Sequence, residues 1–181
     1  MMDWRPSLLG IAGLATITSP IVAQARIYVS IEQAQQLLFP NQHLSKYPII
    51  VTQDLQEKMR SASSIRYPFV GERIWRASDG SWLIIDEVVG KHEMITYAVG
   101  IAPNGSVKGI EILEYVESYG YEVADSQWRK QFIGKTAGDP VKLNQDIQNI
   151  SGATLSSKHL TDGVKRVLVL YELALKELPQ K

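Results

Sequence analysis

Residues 151–157 read Ser-Gly-Ala-Thr-Leu-Ser-Ser, and a long run of apolar residues at helical spacing follows. The first backbone N–H groups of a helix have no internal partner, and the helix dipole places partial positive charge there. A phosphate can bind at such an end. Thr154 supplies a hydroxyl at that point, and Gly152 and Ala153 keep side-chain bulk away from it. Ser151 and Leu155 flank this core of the motif. Ser156 or Ser157 could satisfy one or two of the free donors, and Lys158 could neutralise a phosphate beside Thr154. His159, in the first turn of the helix, could touch such a phosphate or remain a neutral, solvated side chain. Read locally, the stretch is either a capped helix start or a seat for a phosphate-linked ligand on Thr154. Seven residues do not decide between the two.

Other chemistries have little support. There is no cysteine, which excludes disulfides, thiolate metal sites, Cys-ligated iron–sulfur clusters and covalent haem attachment through C-x-x-C-H. The three histidines, His43, His92 and His159, are far apart, so no transition-metal site is expected. No nucleophile–base signature, dinucleotide fingerprint or phosphate-binding P-loop occurs, and no catalytic residue is assigned. Nineteen Lys and Arg balance nineteen Asp and Glu, which offers no electrostatic case for nucleic acid. Redox work by this chain would need an organic cofactor.

The elements that must position Thr154 can be read from pattern. Ser30 with Gln33 forms a capping box for a short helix that ends before Pro40, and Thr52 opens a second. Asp79-Gly80 and Asn104-Gly105 each sit between alternating strand-like runs and predict two hairpins. In the second hairpin Ile95, Tyr97, Val99 and Ile101 share a face, whereas strict alternation does not put Ile110, Ile112 and Tyr115 on one face. A short helix follows, capped by Asp125 and stopped near Gly134. In the last helix Leu160, Val164, Val167, Leu168, Tyr171, Ala174, Leu175 and Leu178 form a stripe, leaving Lys165, Arg166, Glu172, Lys176 and Glu177 to the other faces. That stripe must bury against the hairpin sheet. The fold class is α+β: an antiparallel sheet of hairpins flanked by helices, with a long C-terminal amphipathic helix.

The first 25 residues have a different character. Residues 8–25 carry no charge and end in Ala23-Gln24-Ala25, a small-x-small pattern shortly after Pro20. This is the layout of a secretory signal peptide cleaved after Ala25, with an uncleaved anchor as the alternative. Either version places a single domain, residues 26–181, outside the cytoplasm, in the periplasm or its equivalent; the anchor would also tether it to the membrane. A chain without cysteine suits such an oxidising compartment.

The string Ser151 to Ser157, with Gly163-Val164 further along the helix, resembles the flavinylation motif of the FMN-binding domain family. That family includes the flavin-carrying subunits of the sodium-pumping NADH:quinone oxidoreductase and of Rnf electron-transport complexes. Glu117-Ser118-Tyr119-Gly120 is similar to the family's Glu-Thr-Pro-Gly turn, and residues 128–135 to the helix that follows it. The resemblance covers roughly residues 86–166. It implies that Thr154 holds FMN through a phosphodiester bond made by a flavin transferase. It further implies that Ser151, Gly152, Ala153, Leu155, Ser156, Glu117, Gly120 and Lys158 line the cofactor site. Tyr119, Tyr121 and Trp128 could pack against the flavin ring or belong to the core. The chain departs from the family at Gln148, where Asp is usual; Asp146 lies two residues upstream. The expected function is an exported electron carrier working with a membrane or periplasmic redox partner, more an electron-transfer protein than a complete enzyme. The alternative is a binding or assembly module of the same fold that carries no flavin.

Overall fold

The structure, a computed structural model, describes residues 26–116 and 120–179. The expected leader in residues 1–25 lies outside them, as do Glu117 and Tyr119 of the expected site. Six antiparallel strands form one sheet: β1 (Arg26–Ile27), β2 (Leu44–Lys46), β3 (Ile74–Ala77), β4 (Trp82–Val89), β5 (Met94–Ile101) and β6 (Val107–Tyr115). Their spatial order is β1-β6-β5-β4-β3-β2. The helices are α1 (Ile31–Leu38), α2 (Gln53–Ser63), a single turn α3 (Ser126–Arg129) and α4 (Thr154–Leu170). The α+β arrangement expected from pattern is therefore present. The caps fall where the sequence puts them: Ser30 and Gln33 close a capping box on α1, Thr52 caps α2 and Asp125 caps α3. Both hairpin turns use their glycines at positive φ, 85° at Gly80 and 84° at Gly105.

One face of the sheet carries the main core. Leu160, Val164, Val167 and Leu168 of α4, with Leu55 and Met59 of α2, close over it. Each fully buried aliphatic side chain contributes about 1.5–3 kcal/mol. A smaller core on the opposite face packs Ala34, Leu38 and Phe39 from the α1 region against Leu83, Ile85, Ala98 and Leu113.

Strict alternation fails in β6. Ile110, Ile112 and Tyr115 all lie in the main core, on the face of Ile95, Tyr97 and Val99. The register explains this: Thr96 pairs with Glu114 but Tyr97 with Ile112, so Leu113 is an extra residue. Gly100 pairs with Gly109 and Ile101 with Val107, which leaves Lys108 as a second extra residue. Each bulge shifts the side-chain parity by one, returning the next apolar residue to the same face.

Arg166 is the second departure. Helical spacing puts it on the polar side of α4, yet it is 2% exposed. Its Nη2 donates to Asp86 Oδ1 at 2.6 Å and its Nε to Oδ2 at 3.0 Å, while the Tyr97 hydroxyl donates to Oδ2 at 2.8 Å. Arg166 also donates to the backbone carbonyls of Tyr67 and Glu87, both at 3.1 Å. A buried charge is tolerated only when paired and hydrogen-bonded, and this one is both. Gly163 permits the approach, because a Cβ there would stand 2.3 Å from the Tyr97 hydroxyl.

Candidate functional site

α4 starts at Thr154 with Ala153 at the N-cap and no side-chain cap. Ser156 and Ser157 do not cap the helix as expected. They are its third and fourth residues, 3% and 0% exposed, and they point into the protein. Ser156 Oγ shares a hydrogen bond with the Tyr115 hydroxyl at 3.0 Å, tying the helix start to the end of β6. Among the described residues no side chain caps the backbone N–H groups of the first turn, which is the electrostatic setting for an anion.

The loop before α4 is held from both sides. Trp128 Nε1 donates to the Gln148 carbonyl at 2.7 Å, and the Gln148 N–H donates to Gln131 Oε1 at 2.8 Å. The turn then closes through Ala153 N–H to the Ile150 carbonyl at 3.1 Å, with Gly152 at φ 84°. Thr154 is exposed at its end. Its Oγ1 accepts from Asn149 Nδ2 at 3.1 Å, and Asn149 Oδ1 accepts from Ser157 Oγ at 2.9 Å. Trp128 is thus a core residue, stacked edge-on against Phe132, whereas the Tyr121 ring is about half exposed.

An open pocket of about 230 Å³ lies at this point, lined by Lys91, Gly120, Gly152, Ala153, Thr154, Leu155 and Ser156. Six expected site residues meet here: Gly120, Gly152, Ala153, Thr154, Leu155 and Ser156. Ser151 is exposed in the adjoining turn and does not line the pocket. Lys158 also stays outside it and pairs along the helix with Asp162 at 2.6 Å. The reason is helical geometry, which stacks Lys158 with Asp162 on one face. The cation in the pocket is Lys91, from the turn between β4 and β5. His159 is half-buried, and its ring nitrogen faces the backbone of the turn before β5. Its Nδ1 lies 2.6 Å from the Val89 carbonyl and 3.0 Å from that of Gly90, where only a protonated Nδ1 can donate. That contact pins the turn carrying Lys91 against α4.

Lys91 and Asn149 are the two residues sequence reading missed. Lys91 lies 63 positions before Thr154 in the chain, and only folding joins them. Asn149 stands close in sequence, but nothing in Gln-Asn-Ile-Ser indicates which side chain turns toward the hydroxyl. Asp146, upstream of the motif, holds the local loop. Its carboxylate accepts the N–H groups of Lys142 at 2.8 Å and Val141 at 3.1 Å, and pairs with Lys135 at 2.9 Å. Among the described residues no group of acidic or histidine side chains could hold a metal ion.

The donor set and size indicate what fits. Free helix N–H groups and a lysine suit a phosphate. The volume is below the roughly 300–1,000 Å³ of sites that enclose a small molecule. The pocket can receive the phosphate end of FMN without engulfing the whole cofactor.

The class of protein follows from comparison with known families. Residues 90–169 match the model of the FMN-binding domain. The matched region contains β5, β6, α4 as far as residue 169, and the residues that line the pocket at Thr154. Among particular proteins, the chain is 32% identical over 82 residues to a component of the Na(+)-translocating ferredoxin:NAD(+) oxidoreductase complex of Acetobacterium woodii. That match covers 40% of each chain, so this chain spans well under half the length of its curated relative. The crystal structure of Shewanella oneidensis NqrC is also similar, with a TM-score of 0.44 and 20% identity over 61% of this chain and 59% of that one.

Proposed function

We propose that this protein is an extracytoplasmic electron carrier with FMN esterified through its phosphate to Thr154. The observation that carries the reading is the exposed Thr154 hydroxyl at the uncapped start of α4, in a pocket that also holds Lys91. The FMN-binding domain match supports the choice of cofactor. In forming the ester, the Thr154 Oγ–P bond is made as the pyrophosphate P–O bond of FAD breaks, AMP leaves, and the hydroxyl proton passes to a base. A flavin transferase supplies the donor and the general base. Bound FMN supplies reversible one- and two-electron transfer at its ring. The chain's own residues anchor and orient: the first turn of α4 and Lys91 hold the phosphate, Gly152 leaves room around it, and Gly120 makes room for the hydrogen bond between Ser156 and Tyr115.

The 1–25 segment supports export, and the relative's place in an oxidoreductase complex supports a redox partner at a membrane. No helix among the described residues is long and apolar enough to cross a membrane.

The full chain, expressed and exported in cells that contain a flavin transferase, should fluoresce in a denaturing gel. Its intact mass should equal that of a chain starting at Arg26 plus one FMN less one water. Thr154→Ala should abolish both flavin signals, and Thr154→Ser should retain part of them. A folded, unmodified wild type under these conditions would reject the carrier and favour the flavin-free binding module.

A further inference from the structure

The acceptor hydroxyl does not stand alone. Asn149 reaches across the turn with Nδ2 on Thr154 Oγ1 at 3.1 Å, and its Oδ1 lies 2.9 Å from Ser157 Oγ, whose single proton it shares with the Ala153 carbonyl, also at 2.9 Å. Ser157 is fully buried, so this contact belongs to the packed body of α4. The backbone just before Asn149 is fixed by Trp128 and Gln131 through Gln148. A threonine hydroxyl has one O–H and two lone pairs. The amide engages one lone pair and leaves the other for bond formation.

We propose that Asn149 is the positioning residue for transfer of the FMN phosphoryl group to Thr154, holding the Thr154 oxygen in the orientation from which it attacks the phosphorus of the flavin donor on the transferase. This rests on the reading of Thr154 as the FMN acceptor. The Oγ–P bond forms as the P–O bond of the FAD pyrophosphate breaks and AMP leaves, the hydroxyl proton passes to a base on the transferase, and Asn149 exchanges none of these atoms. Its contribution is orientation, which lowers the barrier once the two proteins have met. The cost of losing it therefore falls on kcat and not on KM. Gln148 serves here through its backbone, which is why a side chain one position later in the loop does the orienting.

The test uses purified unmodified protein, a flavin transferase and FAD, with modification followed by in-gel fluorescence against substrate-protein concentration. Asn149→Ala should lower kcat roughly fivefold, the scale of one net hydrogen bond, with KM for the protein unchanged. Ser157→Ala, which removes the contact to Asn149 together with those to the Ala153 and Thr154 carbonyls, should lower kcat less. Met59→Ala on α2 should reduce thermal stability at least as much as Asn149→Ala and leave kcat unchanged, separating orientation from folding. In the unmodified protein, three-bond couplings should report one Thr154 χ1 rotamer for wild type and an averaged one for Asn149→Ala. Wild-type kcat in Asn149→Ala, or a single unaltered Thr154 rotamer in that variant, overturns the role of Asn149 alone. A wild-type protein that takes no flavin from FAD overturns the reading of Thr154 and this role with it.

Discussion

Gly120 and Gly152 lie on two sides of Thr154 in the pocket, and both hold left-handed backbone, with φ of 85° and 84°. Their surroundings differ. A Cβ on Gly120 would stand 2.6 Å from both Ser156 Oγ and the Tyr115 hydroxyl, whereas a Cβ on Gly152 would meet nothing within 4 Å. Gly152→Ala should therefore cost only the backbone penalty of about 1–2 kcal/mol. Gly120→Ala should cost that plus overpacking of about 1–3 kcal/mol, because the neighbouring hydroxyls are buried and hydrogen-bonded to each other. Urea denaturation of the two variants measures the difference, and equal losses would contradict the packing at Gly120. The motif at Thr154 was legible at this scale, since it is contiguous in the chain. The hydroxyl's partner was not, because a side chain's direction out of a turn depends on what anchors the turn, here Trp128 and Gln131.

At the scale of elements, the long connection from α3 to α4 is stabilised by charge. Burial alone would raise the Asp146 carboxyl. The Lys142 N–H, the Lys135 ammonium and the Val141 N–H outweigh it and hold the group below the usual carboxylate value. A carboxyl that is depressed in the native state contributes its full stability above its unfolded pKa of about 4. That contribution is lost as pH falls through the lower native value. Asp146→Asn should thus be less stable than wild type at pH 6, with the gap narrowing as pH drops toward 3. Urea midpoints across that range check it, and a gap that widens toward low pH would refute the sign. The element boundaries themselves were largely readable, because caps and Asp-Gly or Asn-Gly turns act over a few residues. The bulges at Lys108 and Leu113 were not, since a shift of parity is set by the partner strand. Arg166 escaped for a similar reason: helix periodicity finds the core-facing side, but only the position of Asp86 on β4 makes a buried guanidinium tolerable.

For the whole molecule, the decisive quantity is the size of the pocket. At about 230 Å³ and open to solvent among the described residues, it has room for a phosphate end and not for a whole flavin ring. Under the proposed attachment at Thr154, a covalent link would do the retaining that an enclosed site would otherwise do, and an exposed ring would suit exchange of electrons with another protein. The isolated flavinylated protein should accordingly show flavin fluorescence quenched by iodide nearly as readily as that of free flavin. Strong protection from iodide in the isolated protein would contradict a surface-held ring.

The amino-acid sequence by itself determined the α+β class, the two hairpins, the capped helices and the Thr-bearing motif. Each depends on residues within a few positions of one another, where turn chemistry, capping and periodicity act. The tertiary structure alone decided that Gly120, Lys91 and the start of α4 meet in one pocket. It also decided that Lys158 stays out of that pocket and that Arg166 is buried on Asp86. Those outcomes depend on how α4 lies across the sheet, and that placement follows from the shared burial of its apolar stripe and not from any local pattern.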